Sequence, residues 1–129
     1  MAMEQKESED RADGLTFHLT PEMVWEAQRE ETGYLPEAFA DEGFIHTTND
    51  DVHVLEVANR YYRDDPRPYL LLDVDLAKVA ATTVYEAHDV ARRYPHIYGP
   101  IDRRAVILVR RLERGGDGEF KSIGASAGS

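Results

Sequence analysis

Three histidines carry most of the chemistry that can be read in this chain. His46 follows Gly43-Phe44-Ile45 and opens onto Thr47-Thr48. His96 sits inside Tyr94-Pro95-His96-Ile97-Tyr98-Gly99-Pro100, and His18 inside Phe17-His18-Leu19-Thr20. Each stands at or beside the end of a β-rich apolar run, where side chains from separate segments can converge on a cleft. Imidazole, hydroxyl and phenol groups hydrogen-bond ribose hydroxyls and phosphates, and a tyrosine ring stacks on a heteroaromatic base.

The types and neighbours of these residues suggest roles. His46 feeds a polar turn and then a helix start, so His46, Thr47 and Thr48 are candidates to hold ribose or an anion at the helix N-terminus. Asp50 and Asp51 beside that terminus would repel phosphate, which favours ribose. In the segment around His96, two prolines stiffen what reads as an irregular binding loop, with Tyr98 as a ring to stack on a base and His96 as a proton carrier. Glu86, between Tyr85 and Ala87, is a candidate orienting carboxylate. His18 and Thr20 would reach a ribose hydroxyl from the polar face of a first strand, and Tyr62 is a second stacking candidate. A ribose-accepting histidine must be neutral, so binding is expected to weaken below about pH 6. His53 and His88 read as surface residues. No metal is expected, because the three histidines fall on three elements with no helical i, i+4 pair among them.

These groups need elements to position them. Leu15, Phe17 and Leu19 alternate as one face of a strand, leaving His18 on the other, solvent-side face. Thr20-Pro21-Glu22 marks a helix start, with the Thr20 hydroxyl as cap, and the helix is expected to run to Glu30 or Glu31 before Gly33. Residues 43–47 read as a strand. A helix over 51–62 follows, capped by Asn49 or Asp50, with Val54, Leu55, Ala58, Tyr61 and Tyr62 on one face. The run 69–74 suggests a strand covered on both faces, and 84–87 and 105–112 are further strands. The pattern predicts an α+β fold: a split, mainly antiparallel sheet with one or two helices packed on it.

Composition narrows the class. At 129 residues the chain fits one domain, expected over 14–114, with a disordered segment at 1–13 and a flexible tail at 115–129 in which Phe120 and Ile123 could dock. There is no cysteine, which excludes disulfides and zinc-thiolate sites and suits a reducing cytoplasm. No apolar run or signal-type segment points to a membrane. The net charge of −10 argues against coating nucleic-acid backbones. A small nucleotide or sugar-phosphate is the expected ligand, with an RNA end as the one nucleic-acid partner kept open. The alternative is a non-catalytic module for a small ligand or a protein.

Seven ordered blocks carry a family resemblance. They are Phe17-His18-Leu19-Thr20, Trp25, Gly33-Tyr34-Leu35-Pro36, Gly43 through Thr48, Leu71 through Asp75, Val84-Tyr85-Glu86, and Tyr94 through Pro100. Together they resemble the bacterial family called domain-of-unknown-function 952, over about Leu15 to Leu112. That family is grouped by fold with the ADP-ribosyltransferase-like superfamily, so the resemblance implies an NAD-binding cleft in a split sheet, with NAD as a substrate. His46-Thr47-Thr48 and the helix after it are similar to the His-Leu-Ser segment of RNA 2′-phosphotransferases. His18-Leu19-Thr20 looks like the His-Gly-Thr of poly-ADP-ribose polymerases, with Leu19 standing where those enzymes have Gly. The resemblance implies ADP-ribosyl or 2′-phosphate transfer, or a remnant of it. Glu86 and His96 are the candidates for the catalytic position.

Overall fold

The computed structural model describes residues 14–87 and 93–126, the side chains of Ala87 and Arg93 excepted. Nine strands and three short α-helices follow in order: β1 (Leu15–Pro21), α1 (Glu22–Ala27), β2 (Gly33–Tyr34), α2 (Phe39–Glu42), β3 (Ile45–His46), α3 (Val54–Tyr62), β4 (Tyr69–Asp75), β5 (Thr83–Ala87), β6 (Arg93–Ile97), β7 (Ile101–Asp102), β8 (Val106–Arg114) and β9 (Phe120–Ser126). The strands form an open four-stranded sheet ordered β1-β4-β8-β9, a three-stranded sheet ordered β3-β6-β5, and the β2-β7 pair. All of these pairings are antiparallel. The fold is α+β with antiparallel open sheets and few helices.

β4 is an unbroken apolar run because it is covered on both faces. Leu70, Leu72 and Val74 enter one core with Trp25, Tyr34, Ile45 and Ile97. Tyr69 and Leu71 enter a second with Phe17, Val54, Ala58, Leu112 and Phe120. Asp73 shares this second face. Its burial pushes the carboxyl up, opposed by Arg110, whose Nη2 donates to both carboxylate oxygens at 2.9 and 3.0 Å.

Several expectations are corrected. Thr16, His18 and Thr20 do not face solvent: all three are buried, because a second layer built from β2, β3 and β6 lies over that side of β1. α1 ends at Ala27 rather than at Glu30 or Glu31, and Thr20 does not cap it; Pro21 holds the N-cap position without a side-chain bond. Asp50 acts in a turn, where its Oδ1 accepts the backbone N–H groups of Val52 and His53, and α3 starts only at Val54. The helices number three among the described residues, not one or two, and α1 and α2 are short.

Two segments read as loop or tail are strands. His96 lies in β6, not in an irregular loop. Pro95 is accommodated because β3 stops at His46, opposite His96. Beyond that point the Pro95 carbonyl accepts the Thr47 hydroxyl at 2.7 Å. Gly99 follows in a bend where a Cβ would lie 2.7 Å from Ala81 Cβ, so a larger residue would displace that loop. Residues 120–126 are β9, paired with β8, with Phe120 buried under the stacked guanidinium of Arg114 at 4.0 Å. A wholly flexible 115–129 tail is therefore overturned. The expected segment 1–13, His88 and the last three residues lie outside the described residues.

Candidate functional site

The seam between the two sheets opens into a cleft of about 770 Å³, walled by β1, β3, β6 and one flank of α3. Its lining includes His18, Thr20, His46, Thr47, Thr48, Tyr62 and His96. Folding thus gathers the three distant imidazoles around one hollow. Glu86 and Tyr98 are not among the lining residues and connect to the cleft through His96.

His18 holds the seam together. Its Nδ1 donates to the His46 carbonyl at 2.8 Å, so Nε2 keeps the lone pair, with the Tyr34 hydroxyl 3.2 Å away. The Tyr34 hydroxyl lies 2.6 Å from Thr20 Oγ1. One phenolic proton serves one of these acceptors at a time, and the Thr20 hydroxyl can supply the other link. Burial lowers the His18 pKa from 6.5 to about 4, so this ring is neutral at pH 6. The expectation that its protonation weakens binding near that pH does not hold for His18. Burial also pushes the Tyr34 hydroxyl up.

The two threonines after His46 turn mostly inward. Thr47 Oγ1 accepts from Thr16 at 2.7 Å while donating to Pro95, and Thr48 Oγ1 donates to the Asp50 carbonyl. Tyr62 is stacked on Tyr69, with centroids 5.0 Å apart. Tyr61, on the same turn of α3, is exposed and lines the cleft beside Arg60, whose guanidinium lies 5.6 Å from its ring centroid.

The β3–β6 register sets His46 directly opposite His96. Their ring centroids are 5.1 Å apart, edge to face. Phe44 stacks on His96 at 4.3 Å and meets His46 edge-on at 4.7 Å. Each imidazole has a carboxylate. Glu86 Oε1 is 2.5 Å from His96 Nδ1, and Glu42 Oε1 is 3.1 Å from His46 Nε2. Glu86 also accepts the Tyr98 hydroxyl at 2.8 Å. The Tyr98 and His96 hydrogen bonds hold the Glu86 carboxyl below its ordinary range, and the same carboxylate raises the Tyr98 hydroxyl. A carboxylate on Nδ1 fixes the His96 tautomer with its lone pair on Nε2, the form that accepts a proton.

Glu42, Phe44, Tyr34, Arg60 and Tyr61 complete the site without having been assigned roles from sequence. Glu42 ends α2 and His46 lies in β3 beyond the left-handed Gly43, so their spacing of four was no helical signal in the sequence. His53 pairs with Asp50 and is not among the lining residues. Among the described residues no three His, Cys, Asp or Glu side chains are grouped to hold a metal ion, and no helix is long and apolar enough to cross a membrane.

Comparison with known proteins agrees with this fold. A family model described as "Protein of unknown function (DUF952)" matches residues 19–109. The crystal structure of protein CC0527 from Caulobacter crescentus superposes with a TM-score of 0.71 at 22% identity, covering 83% of this chain and 93% of that one. The solution NMR structure of CC0527 gives 0.64 at 21% identity, covering 84% and 92%. At this identity the likeness shows the shared fold. No curated protein matches the chain.

Proposed function

The chain belongs to the DUF952 family, and on that premise we propose that its cleft binds a ribose-linked nucleotide of the NAD or ADP-ribose type. The observation that carries this reading is the convergence of His18, His46 and His96 on one hollow. A volume of about 770 Å³ lies inside the roughly 300–1,000 Å³ of ordinary ligand clefts. An exposed aromatic ring at Tyr61 suits a base, Arg60 suits a phosphate, and the imidazoles suit ribose hydroxyls. The open antiparallel sheets with a cleft at their seam are the arrangement expected of an ADP-ribosyltransferase-like fold.

In this reading NAD is a substrate rather than a bound cofactor. Its nicotinamide–ribose bond breaks through an oxocarbenium-like state, and His96 Nε2 takes the proton of the incoming hydroxyl while Glu86 orients the ring. Transfer of ADP-ribose or of a 2′-phosphate is the corresponding reaction class. Calorimetric titration with NAD, ADP-ribose and an RNA oligonucleotide ending in a 2′-phosphate tests the proposal. Heat of binding from at least one is expected, and silence from all three rejects it.

A second reading, a binding module without turnover, draws on the inward commitment of His18 and Thr47. It differs by one outcome: His46→Ala weakens the ligand, yet no nicotinamide is ever released from NAD.

A further inference from the structure

We propose that His46 and His96 form a paired acid–base centre that opens a phosphate ester of the bound ribonucleotide, with a 2′,3′-cyclic ribonucleotide phosphate as substrate class. This rests on the nucleotide reading of the cleft and names a phosphate ester, in place of the nicotinamide–ribose bond, as the bond that is broken. Two facing imidazoles, each with its own carboxylate, are more than glycosidic cleavage of a pyridinium nucleotide needs. There the nicotinamide departs as a neutral ring and takes no proton. A phosphate ester differs, because its leaving oxygen departs as an alkoxide and must be protonated while the attacking oxygen loses a proton. Two proton carriers then have separate tasks.

The geometry assigns the tasks. Glu86 holds Nδ1 of His96, leaving Nε2 to accept. His46 lies 5.1 Å away, centroid to centroid, with Glu42 on its Nε2 and a side chain 56% exposed, so substrate reaches it. Phe44 contacts both rings and keeps them from turning apart. Arg60 is the one lysine or arginine among the described lining residues, and the carboxylate of Glu37 is already taken by Arg67. The step balances with water alone. Water attacks phosphorus and gives a proton to His96 Nε2. The bond from phosphorus to O2′ breaks, and O2′ takes a proton from the His46 ring. The product is a nucleoside 3′-phosphate, and proton exchange with solvent resets both rings.

The test uses the full chain with two substrates, followed by phosphorus NMR and absorbance. One is 2′,3′-cyclic adenosine monophosphate; the other is a 2′-deoxyribonucleoside 3′-(p-nitrophenyl phosphate), whose leaving group needs no acid and which has no 2′-hydroxyl to attack in place of water. Wild type should turn over both. His96→Gln should lose about 100-fold or more on both, while His46→Gln should lose as much on the cyclic phosphate but come within about tenfold of wild type on the p-nitrophenyl ester. Wild-type protein that turns over neither overturns the proposal, as does turnover undiminished in His96→Gln. Calorimetry with ADP-ribose on the same sample separates the two claims. Binding without turnover defeats this step alone, and turnover lost as predicted supports it whatever ADP-ribose does.

Discussion

Glu86 and His96 are joined across the β5–β6 pair by a contact of 2.5 Å between Oε1 and Nδ1, with Tyr98 closing on the same oxygen at 2.8 Å. The imidazole lines the cleft, whereas the carboxylate and the phenol are not among its lining residues. Glu86 therefore positions a proton acceptor rather than meeting a ligand itself.

Glu86→Gln should leave the fold intact and lower any turnover by about 10- to 100-fold, the usual cost of losing an orienting partner. Nitrogen-15 NMR of the imidazoles gives a readout that a purely structural role would not move. His96 should show one tautomer, protonated at Nδ1, in the wild type and a mixture in the variant. An unchanged tautomer would refute the positioning role.

Stability should depend on His18 in acid. Its folded pKa, about 4, lies below the ordinary 6.5. Between these values the unfolded chain binds a proton that the buried ring refuses. The His18 contribution is thus complete above about pH 6.5 and lost as pH falls toward 4, about 3 kcal/mol in all. Urea titrations of wild type and His18→Gln from pH 7.5 to 4 should show the gap between them narrowing as the solution acidifies. A constant gap would contradict this.

Tyr34 ties Thr20 to His18 under β1. Tyr34→Phe should cost about 1–3 kcal/mol, because a buried acceptor on His18 and a buried hydroxyl on Thr20 lose their common partner. In a double-mutant cycle with Thr20→Val the effects should be coupled by at least about 0.5 kcal/mol. Strict additivity of the two urea midpoints would mean that the contact is energetically idle.

Phe120 belongs to the second core, edge-on to Tyr69 at 5.7 Å. Phe120→Ala should destabilise the protein by about 3–5 kcal/mol, the range for emptying a buried aromatic site. A change below about 0.5 kcal/mol in chemical denaturation would show that β9 does not contribute to the fold.

What the sequence disclosed follows from how local each signal was. β4 and α3 were legible because an unbroken apolar run and a helical stripe of Val54 and Ala58 need no knowledge of partners. Alternation placed Leu15, Phe17 and Leu19 on one face correctly. It could not reveal that a second sheet covers the opposite face, which is what buries Thr16, His18 and Thr20. β6 was hidden by Pro95, a residue tolerated there only because β3 is two residues long. β9 was obscured by the glycines of residues 115–118, although Asp117-Gly118 between two apolar runs is itself a hairpin signal. The gathering of the histidines was legible in outline. The roles were not, because only tertiary contacts show that Thr47 points at Pro95, or that Tyr61 rather than Tyr62 faces open space.

The most direct test of the nucleotide-binding claim is a map of backbone and side-chain chemical shifts in nitrogen-15-labelled protein titrated with ADP-ribose. Saturable shifts should concentrate on His46, His96, Arg60 and Tyr61 around the cleft, with the β8–β9 hairpin unmoved. Spectra that stay unchanged at millimolar ligand, or shifts gathered on a face away from those residues, would contradict it.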